Sequence, residues 1–280
     1  MRWVFLGCVI PDVPWIMRRA INLSPVDPDP YWLMSYATVQ ASLLFCLVLA
    51  AAIALMSRRF WPVVAVLSGN AALHLLLDAV EIKPGNGAHF FAPLSWQHFR
   101  FDLLWPHSPL IYAATGLGLL FSTYVLFQYR RQPIAFSLPA SAKATTITIL
   151  IAAYLLTPMW LTSGPYEDDN HFVRTLQEME LRPGQRIEID RGAYEINGSA
   201  GLVSTFAGEK LRLTGEMPAN ATAVSLSGVF VDENTVRVEE IQATTERFRS
   251  FASIVGLAFV AGVWLIGNLN GDSILISRGR

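Results

Sequence analysis

Hydrophobic positions fall into two regimes along this chain. Up to residue 163, and again from residue 249, they form long runs; between them they come in short stretches split by turn residues. The first run is Trp3 to Met17, interrupted by Pro11 and Pro14. MSYATVQASLLFCLVLAAAIALMS (34–57) leads to Arg58-Arg59, and FWPVVAVLSGNAALHLLLDAV (60–80) follows. Next come PLIYAATGLGLLFSTYVLFQ (109–128), ahead of Arg130-Arg131, and ATTITILIAAYLLTPMWLTS (144–163), just after Lys143. The last is FASIVGLAFVAGVWLIGNL (251–269). About 20 consecutive apolar residues suffice for a helix to cross a bilayer. The pattern predicts a mainly α-helical polytopic membrane protein with five or six spans, the proline-broken first run being a span or a re-entrant piece.

Residues 164–248 have a different texture. QRIEID, AYEI, EKLRLTGEM, AVSLSGVFV and TVRVEEI read as strands, separated by the turn formers RPG, NGS, AGE and DEN. VSLSGVFVDENTVRVEEI predicts a hairpin around Asp232–Asn234. Five strands in this length predict a small β-barrel or sandwich of the oligonucleotide/oligosaccharide-binding (OB) type, inserted before the last span. The expected organisation is a membrane domain over 1–163, a β domain over 164–248, and a final helix with tail over 249–280.

Composition sharpens the class. The chain of 280 residues is 52% hydrophobic and 15% charged, against about 25% charged in ordinary soluble domains. Arg58-Arg59, Arg130-Arg131 with Lys143, and Arg278 with Arg280 mark one side as cytoplasmic. Loop 81–108 and the β domain are then extracytoplasmic; Arg18-Arg19 dissents. The N-terminal run has a basic residue before an apolar stretch, but its prolines and lack of a small-x-small site read as a retained segment. Cys8 and Cys46 both sit in apolar runs and form neither a disulfide framework nor a metal motif. Residues 164–248 hold 15 acids against 8 Lys or Arg, and no run of aromatics for base stacking. The expected partners are therefore the lipid bilayer and a protein reached through residues 164–248, with no nucleic acid.

The candidate chemistry lies in the third run. Asn70, His74 and Asp78 recur every four residues and share one helix face. A carboxylate at the centre of a membrane helix costs about 2.5–3.5 kcal/mol, so such a stripe faces a bundle interior or a wet cavity. His74 and Asp78 could hold a metal, or Asp78 could orient the His74 imidazole as a base. They could also form a buried polar pair between helices, worth about 0.6 kcal/mol. Asp12, between two prolines, falls at a similar depth; two carboxylates brought together need a cation or a shared proton. Loop 81–108 carries His89, His98 and His107; His89, in the short NGAHFFAPLSW, is placed to fold over the mouth of the helix site. Trp96, Phe99, Phe101 and Trp105 suit a membrane interface.

GCVIPDVPW resembles the Gly-x-x-x-Pro-Asp segment of the LexA-binding, inner-membrane-associated hydrolase family, and LHLLLDAV its His-x-x-x-Asp segment. NGAHFFAPLSW resembles the family's following loop, which ends in Phe-x-Pro. The likeness covers roughly residues 5–130. It implies a multi-pass protein of the bacterial inner membrane and a metal-dependent hydrolase distantly similar to zinc-dependent phospholipases C. It also implies Asp12, His74 and Asp78 as ligands of a divalent metal such as zinc, with His89 as the candidate for a further ligand. The chain departs from the family in lacking a histidine between Asp12 and His74; Gln40 and Ser42 stand nearest to the family's His-Ser element. The expected function is hydrolysis of an ester or phosphoester, lipid-linked in the reading that suits the site's depth. The alternative is a catalytically degenerate membrane scaffold whose β domain binds a protein. Proton-coupled transport is weaker, because no paired inverted halves are visible.

Overall fold

Prolines and small polar residues decide where this chain breaks its helices. The computed structural model describes residues 2–129, 141–197, 200–244 and 246–269. Helix α1 (Arg2–Val9) gives way to a 3-10 turn at Ile10–Asp12 and resumes as α2 (Val13–Asn22). Pro11 sits in that turn and Pro14 in the first turn of α2, where a missing N–H leaves no bond unmade. Asp29 caps α3 (Pro30–Gln40) by accepting from the Tyr31 N–H at 2.9 Å. The chain then turns at Ala41–Ser42 into α4 (Leu43–Ala54), bent by 66° from α3. The carbonyl of His89 accepts from the Leu43 N–H at 3.1 Å and so caps α4 from the loop that follows α5 (Phe60–Val80).

These breaks correct the expected span count. Among the described residues, α5 and the stretch Ser141–Glu167 are long and apolar enough to cross a membrane. That stretch runs through α7 (Ser141–Leu156), α8 (Pro158–Leu161) and α9 (Ser163–Glu167), after α6 (Pro109–Tyr129). The bent α3–α4 pair adds a third crossing if it counts as one span. Pro109–Val125 and Ser253–Trp264 are apolar but shorter. A polytopic protein of five or six spans is therefore replaced by one with two or three candidate crossings and a closed β-barrel. Apolar composition measures how much chain avoids water; unbroken helix length decides what crosses, and Pro11, Pro14 and the 41–42 turn interrupt it. Arg130, Arg131, Arg278 and Arg280, used to orient the spans, lie outside the described residues, as do Gly198 and Ser199 of the NGS turn.

Helix α5 is the centre of the helical part. Val63, Leu67, Ala71, Leu75 and Ala79 form a buried stripe along it, packed with Ile10, Phe45, Cys46, Leu49 and Tyr154. Small side chains let neighbours come close. Gly7 of α1 lies against α5 so tightly that a Cβ there would fall 2.9 Å from Asn70 Cβ and 3.0 Å from the Leu67 carbonyl oxygen. Aromatic edges of α1 meet α11 (Glu246–Leu269), Trp3 against Trp264 and Phe5 against Phe259.

The β domain is a closed five-stranded barrel of order β1-β2-β3-β5-β4. Its strands are β1 (Arg186–Asn197), β2 (Ala200–Ser204), β3 (Lys210–Thr214), β4 (Ala223–Phe230) and β5 (Thr235–Thr244). The two segments QRIEID and AYEI are one strand, β1, with a bulge between Ile189 and Gly192. AGLVS, poor in strand formers, becomes β2 because it pairs with both β1 and β3. The hairpin at Asp232–Asn234 forms as expected, with Asp232 accepting from the Asn234 N–H at 2.8 Å. Parallel pairing of β3 with β5 closes the barrel. Ile187, Val203, Leu211, Leu213, Leu226, Phe230 and Val236 fill it, joined by Leu176 of α10 (Val173–Gln177). Each fully buried Leu, Ile or Phe contributes about 1.5–3 kcal/mol.

The barrel is seated on the helical part by specific contacts. Glu188 of β1 accepts from the Gly85 N–H at 2.7 Å and pairs with the Arg100 guanidinium at 2.9 Å. Gly85 has φ +69°, and a Cβ there would meet the Glu188 carbonyl oxygen at 2.8 Å. Arg18 donates to the Phe206 carbonyl at 3.5 Å and lies over the Phe206 ring. Arg18, the dissenting charge in the topology reading, is thus engaged by the barrel.

Candidate functional site

Three of the four sequence-predicted ligands come together. The 3-10 turn after Val9 swings Asp12 toward α5, where His74 and Asp78 lie one turn apart. His74 Nε2 is 3.8 Å from Asp12 Oδ1 and 3.6 Å from Asp78 Oδ2. On its other side, His74 Nδ1 is 2.5 Å from the Cys8 carbonyl oxygen. A carbonyl only accepts, so Nδ1 carries a proton and donates. Nε2 is then the atom turned toward both carboxylates. A bare lone pair facing two negative charges is unfavourable, so this position calls for a proton or a cation. The Asp12 and Asp78 side chains are 50% and 39% exposed, which leaves the cluster open to outside molecules.

Lys83 completes the electrostatics. Its ammonium is buried, 2.6 Å from Asp78 Oδ1 and 3.0 Å from Glu81 Oε2. Asp78 therefore uses one oxygen for Lys83 and turns the other to His74. Asn70, the third member of the stripe, stands apart in function. Its amide donates to the Val66 carbonyl at 2.7 Å, and its oxygen receives the Cys8 thiol.

A metal needs donors at a common point. Around zinc, with ligand bonds of about 2.0–2.2 Å, tetrahedral donors sit about 3.3 Å apart. The two separations at His74 are a few tenths of an ångström wider, and among the described residues no group of three or more His, Cys, Asp or Glu is ready-made to hold a metal. The donor types nevertheless fit a divalent cation: an imidazole fixed in one tautomer by a backbone carbonyl, and two carboxylates.

His89 lies elsewhere. It is buried, its ring 5.0 Å from that of His98 and 6.3 Å from that of Trp96. Neither of its ring nitrogens makes a well-formed hydrogen bond, and neither does Nε2 of His98. His98 in turn lies 5.9 Å from His171, ring to ring, and His171 lies against Trp15. Burial, then the neighbouring His98, takes His89 down to about 3, and burial, then Arg100, takes His98 down to about 4. Burial also lowers His171 well below the ordinary imidazole range. His89 and His98 are therefore neutral at neutral pH, and burial pushes His171 the same way. His171 was missed by the sequence reading because it falls outside the loop where the other histidines cluster.

Other candidates have structural work. Gln40 is buried and donates to Tyr36 and to the Tyr154 carbonyl, both at 3.0 Å, tying α3 to α7. Ser42 is buried at the α3–α4 turn. Trp96 turns inward onto Gly164 rather than outward. His107 stacks on Trp105 near Gln242.

No family model and no curated protein matches this chain. A solved structure, U. maydis replication protein A bound to single-stranded DNA, aligns with 34% of this chain and 91% of its own, at 17% identity and a TM-score of 0.23. That likeness carries no argument about what this chain binds. The exclusion of nucleic acid from the expected partners, beside the bilayer and a protein, rested on summed charge and is withdrawn. The physical reason is that a summed charge does not describe a face. On this acidic barrel, Lys210 and Arg212 line an open cleft of about 660 Å³ beside Leu202, Asp232 and Glu233.

Proposed function

We propose that the chain is a membrane-embedded hydrolase working with a divalent cation held by Asp12, His74 and Asp78. The observation that carries this reading is the Cys8 carbonyl on His74 Nδ1, which turns Nε2 toward both carboxylates. When bound, the cation would acidify a water and polarise an ester or phosphoester oxygen. The chain's own residues supply the rest. Cys8 fixes the imidazole tautomer, Lys83 holds Asp78 in place, and the exposed side of Asp12 admits the substrate. The resemblance of GCVIPDVPW and LHLLLDAV to the hydrolase family supports the same assignment.

A second reading rests on Lys83. Its ammonium already neutralises Asp78 and Glu81, as it would in a purely structural charge network of a non-enzymatic scaffold. One experiment separates the two. The full chain, purified in detergent, is assayed for bound divalent metal and for hydrolysis of a p-nitrophenyl ester and bis-p-nitrophenyl phosphate. The hydrolase reading expects a cation and cation-dependent turnover, both lost in Asp78→Ala. Absence of both in the wild-type chain, loaded with zinc or manganese, would sink it.

A further inference from the structure

We propose that the seam between the loop after α5 and the turn ahead of the barrel is an acid-operated latch: protonation of His89, His98 and His171 parts the two segments. His89 and His98 belong to the loop, and His171 to the connection between α9 and α10. The rings follow one another across the seam, 5.0 Å from His89 to His98 and 5.9 Å from His98 to His171. His171 also lies 5.6 Å from the Trp15 ring of α2, so three segments meet here. None of the three histidines belongs to the Asp12–His74–Asp78 cluster, and the latch does not depend on the hydrolytic reading.

The seam suits neutral rings and penalises charged ones. Both nitrogens of His89 and Nε2 of His98 are buried without a well-formed hydrogen bond, so an added proton has no well-placed acceptor. Arg18 of α2 acts on His171, and Arg100 of the loop acts on His98. Asp168 and Glu188 act on His98 with the opposite sign, but Glu188 is already committed to Arg100 at 2.9 Å and to the Gly85 N–H at 2.7 Å. The Trp96 carbonyl favours a charged His89, yet it already accepts from Asn170 at 2.9 Å. Imidazolium rings at these separations, with two arginines beside them, repel more strongly here than in water.

Backbone geometry gives independent support. Asp169, His171 and Phe172 have φ of 52°, 56° and 58°, left-handed values at non-glycine residues. Such strain persists only where the surroundings hold it, and it collects at switch regions. Asn170 ties the turn to the loop through the Trp96 carbonyl, and Asp169 braces it by accepting from the Thr175 N–H at 3.0 Å and from its hydroxyl at 2.5 Å. Parting the seam lets the turn relax and lets water reach the rings. Once open, the three imidazoles return to the ordinary value of about 6.5. The closed seam holds them lower, at about 4 for His98 and about 3 for His89. The open state therefore takes up more protons below about pH 6.5, so closure is complete above that pH and is lost progressively below it. Each released histidine raises the opening equilibrium by up to about 10-fold per pH unit.

Hydrogen exchange of the full chain in detergent, corrected for the intrinsic pH dependence of exchange, tests the latch. The expected result is that opening of residues 81–108 and 168–172 rises more than about 100-fold between about pH 6.5 and pH 5, a slope steeper than one proton. His98→Gln and His171→Asn should each flatten that slope by up to about one proton. Asparagine is chosen because it tolerates left-handed φ, and circular dichroism checks that both variants fold. His107→Ala, which removes the ring stacked on Trp105, should leave the slope unchanged. If either variant fails to fold, imidazole carbon shifts of the wild-type chain decide: His98 and His171 titrating in step with opening supports the latch, and opening with both still neutral overturns it. The proposal is also overturned if wild-type opening stays flat over this range, if the slope persists in folded His98→Gln and His171→Asn, or if it vanishes in His107→Ala.

Discussion

His74 Nδ1 donates to the carbonyl oxygen of Cys8, 2.5 Å away and 66 residues earlier. That contact exists only because Gly7 lets α1 lie on α5. A methyl at position 7 would meet Asn70 Cβ at 2.9 Å and a backbone oxygen at 3.0 Å. Gly7→Ala is expected to cost about 1–3 kcal/mol by overpacking and to weaken divalent-cation binding about 10–100-fold by displacing an outer-shell partner. Cys8→Ala keeps the carbonyl and should leave binding unchanged. Thermal unfolding and cation titration of the two variants check both outcomes.

Lys83 competes with any cation for Asp78. Lys83→Met removes a buried ammonium from two carboxylates, of which Asp78 is 39% exposed. The exposure reduces the usual cost of breaking a buried pair to about 1–3 kcal/mol. Added divalent cation should then stabilise the variant more than the wild type, read as a larger rise in Tm. An equal rise in both chains would count against a cation on Asp78.

The seating of the barrel should depend on pH. Burial works against ionisation of Glu188, but the Arg100 guanidinium and the Gly85 N–H outweigh it and hold its carboxyl below the ordinary range. A lowered folded pKa means the contribution is complete above the unfolded value of about 4.3 and is lost as pH falls through the folded one. Hydrogen exchange in residues 81–108 should therefore accelerate below about pH 4. Glu188→Gln should lose about 1–2 kcal/mol of protection at neutral pH and show a flatter acid profile.

Arg182 joins the barrel to the helical connection before it. Fully buried, it pairs with both Glu209 oxygens at 2.6 and 2.8 Å and donates to the Glu233 carbonyl at 2.7 Å. It also donates to the carbonyls of Thr175 and Leu176. Arg182→Met leaves Glu209 and these carbonyls without their partner and should cost about 3–5 kcal/mol. The double variant Arg182→Met, Glu209→Leu should recover part of the loss in denaturant unfolding, because no carboxylate is then stranded.

Much of the site was legible one segment at a time. The four-residue recurrence of Asn70, His74 and Asp78 put them on one helix face, and α5 is indeed one continuous helix. Their roles were not legible. Asn70 bonds its own backbone, while Asp78 splits its two oxygens between His74 and Lys83. Nothing in the sequence marks Lys83, because its burial depends on how the loop folds back: Phe101 and Leu103 donate to the Ala79 and Val80 carbonyls at 2.6 and 3.0 Å. His89 read as a lid over His74 because both belonged to one stretch of chain; the ring contacts it makes are to His98 and Trp96.

By itself the sequence determined what is local: the apolar runs, the turn-punctuated strands, the Asp232–Asn234 hairpin and the polar stripe on α5. These follow from side-chain periodicity and turn chemistry, which act over a few residues. Tertiary structure alone decided which runs stay straight enough to cross a membrane, that Asp12 reaches His74, and that His171 joins His89 and His98. Those outcomes depend on close approach at Gly7 and Gly164, on the bend at Ala41–Ser42, and on a strained turn at 169–172 held from outside. Packing between segments sets each of them, and no window of sequence contains both partners.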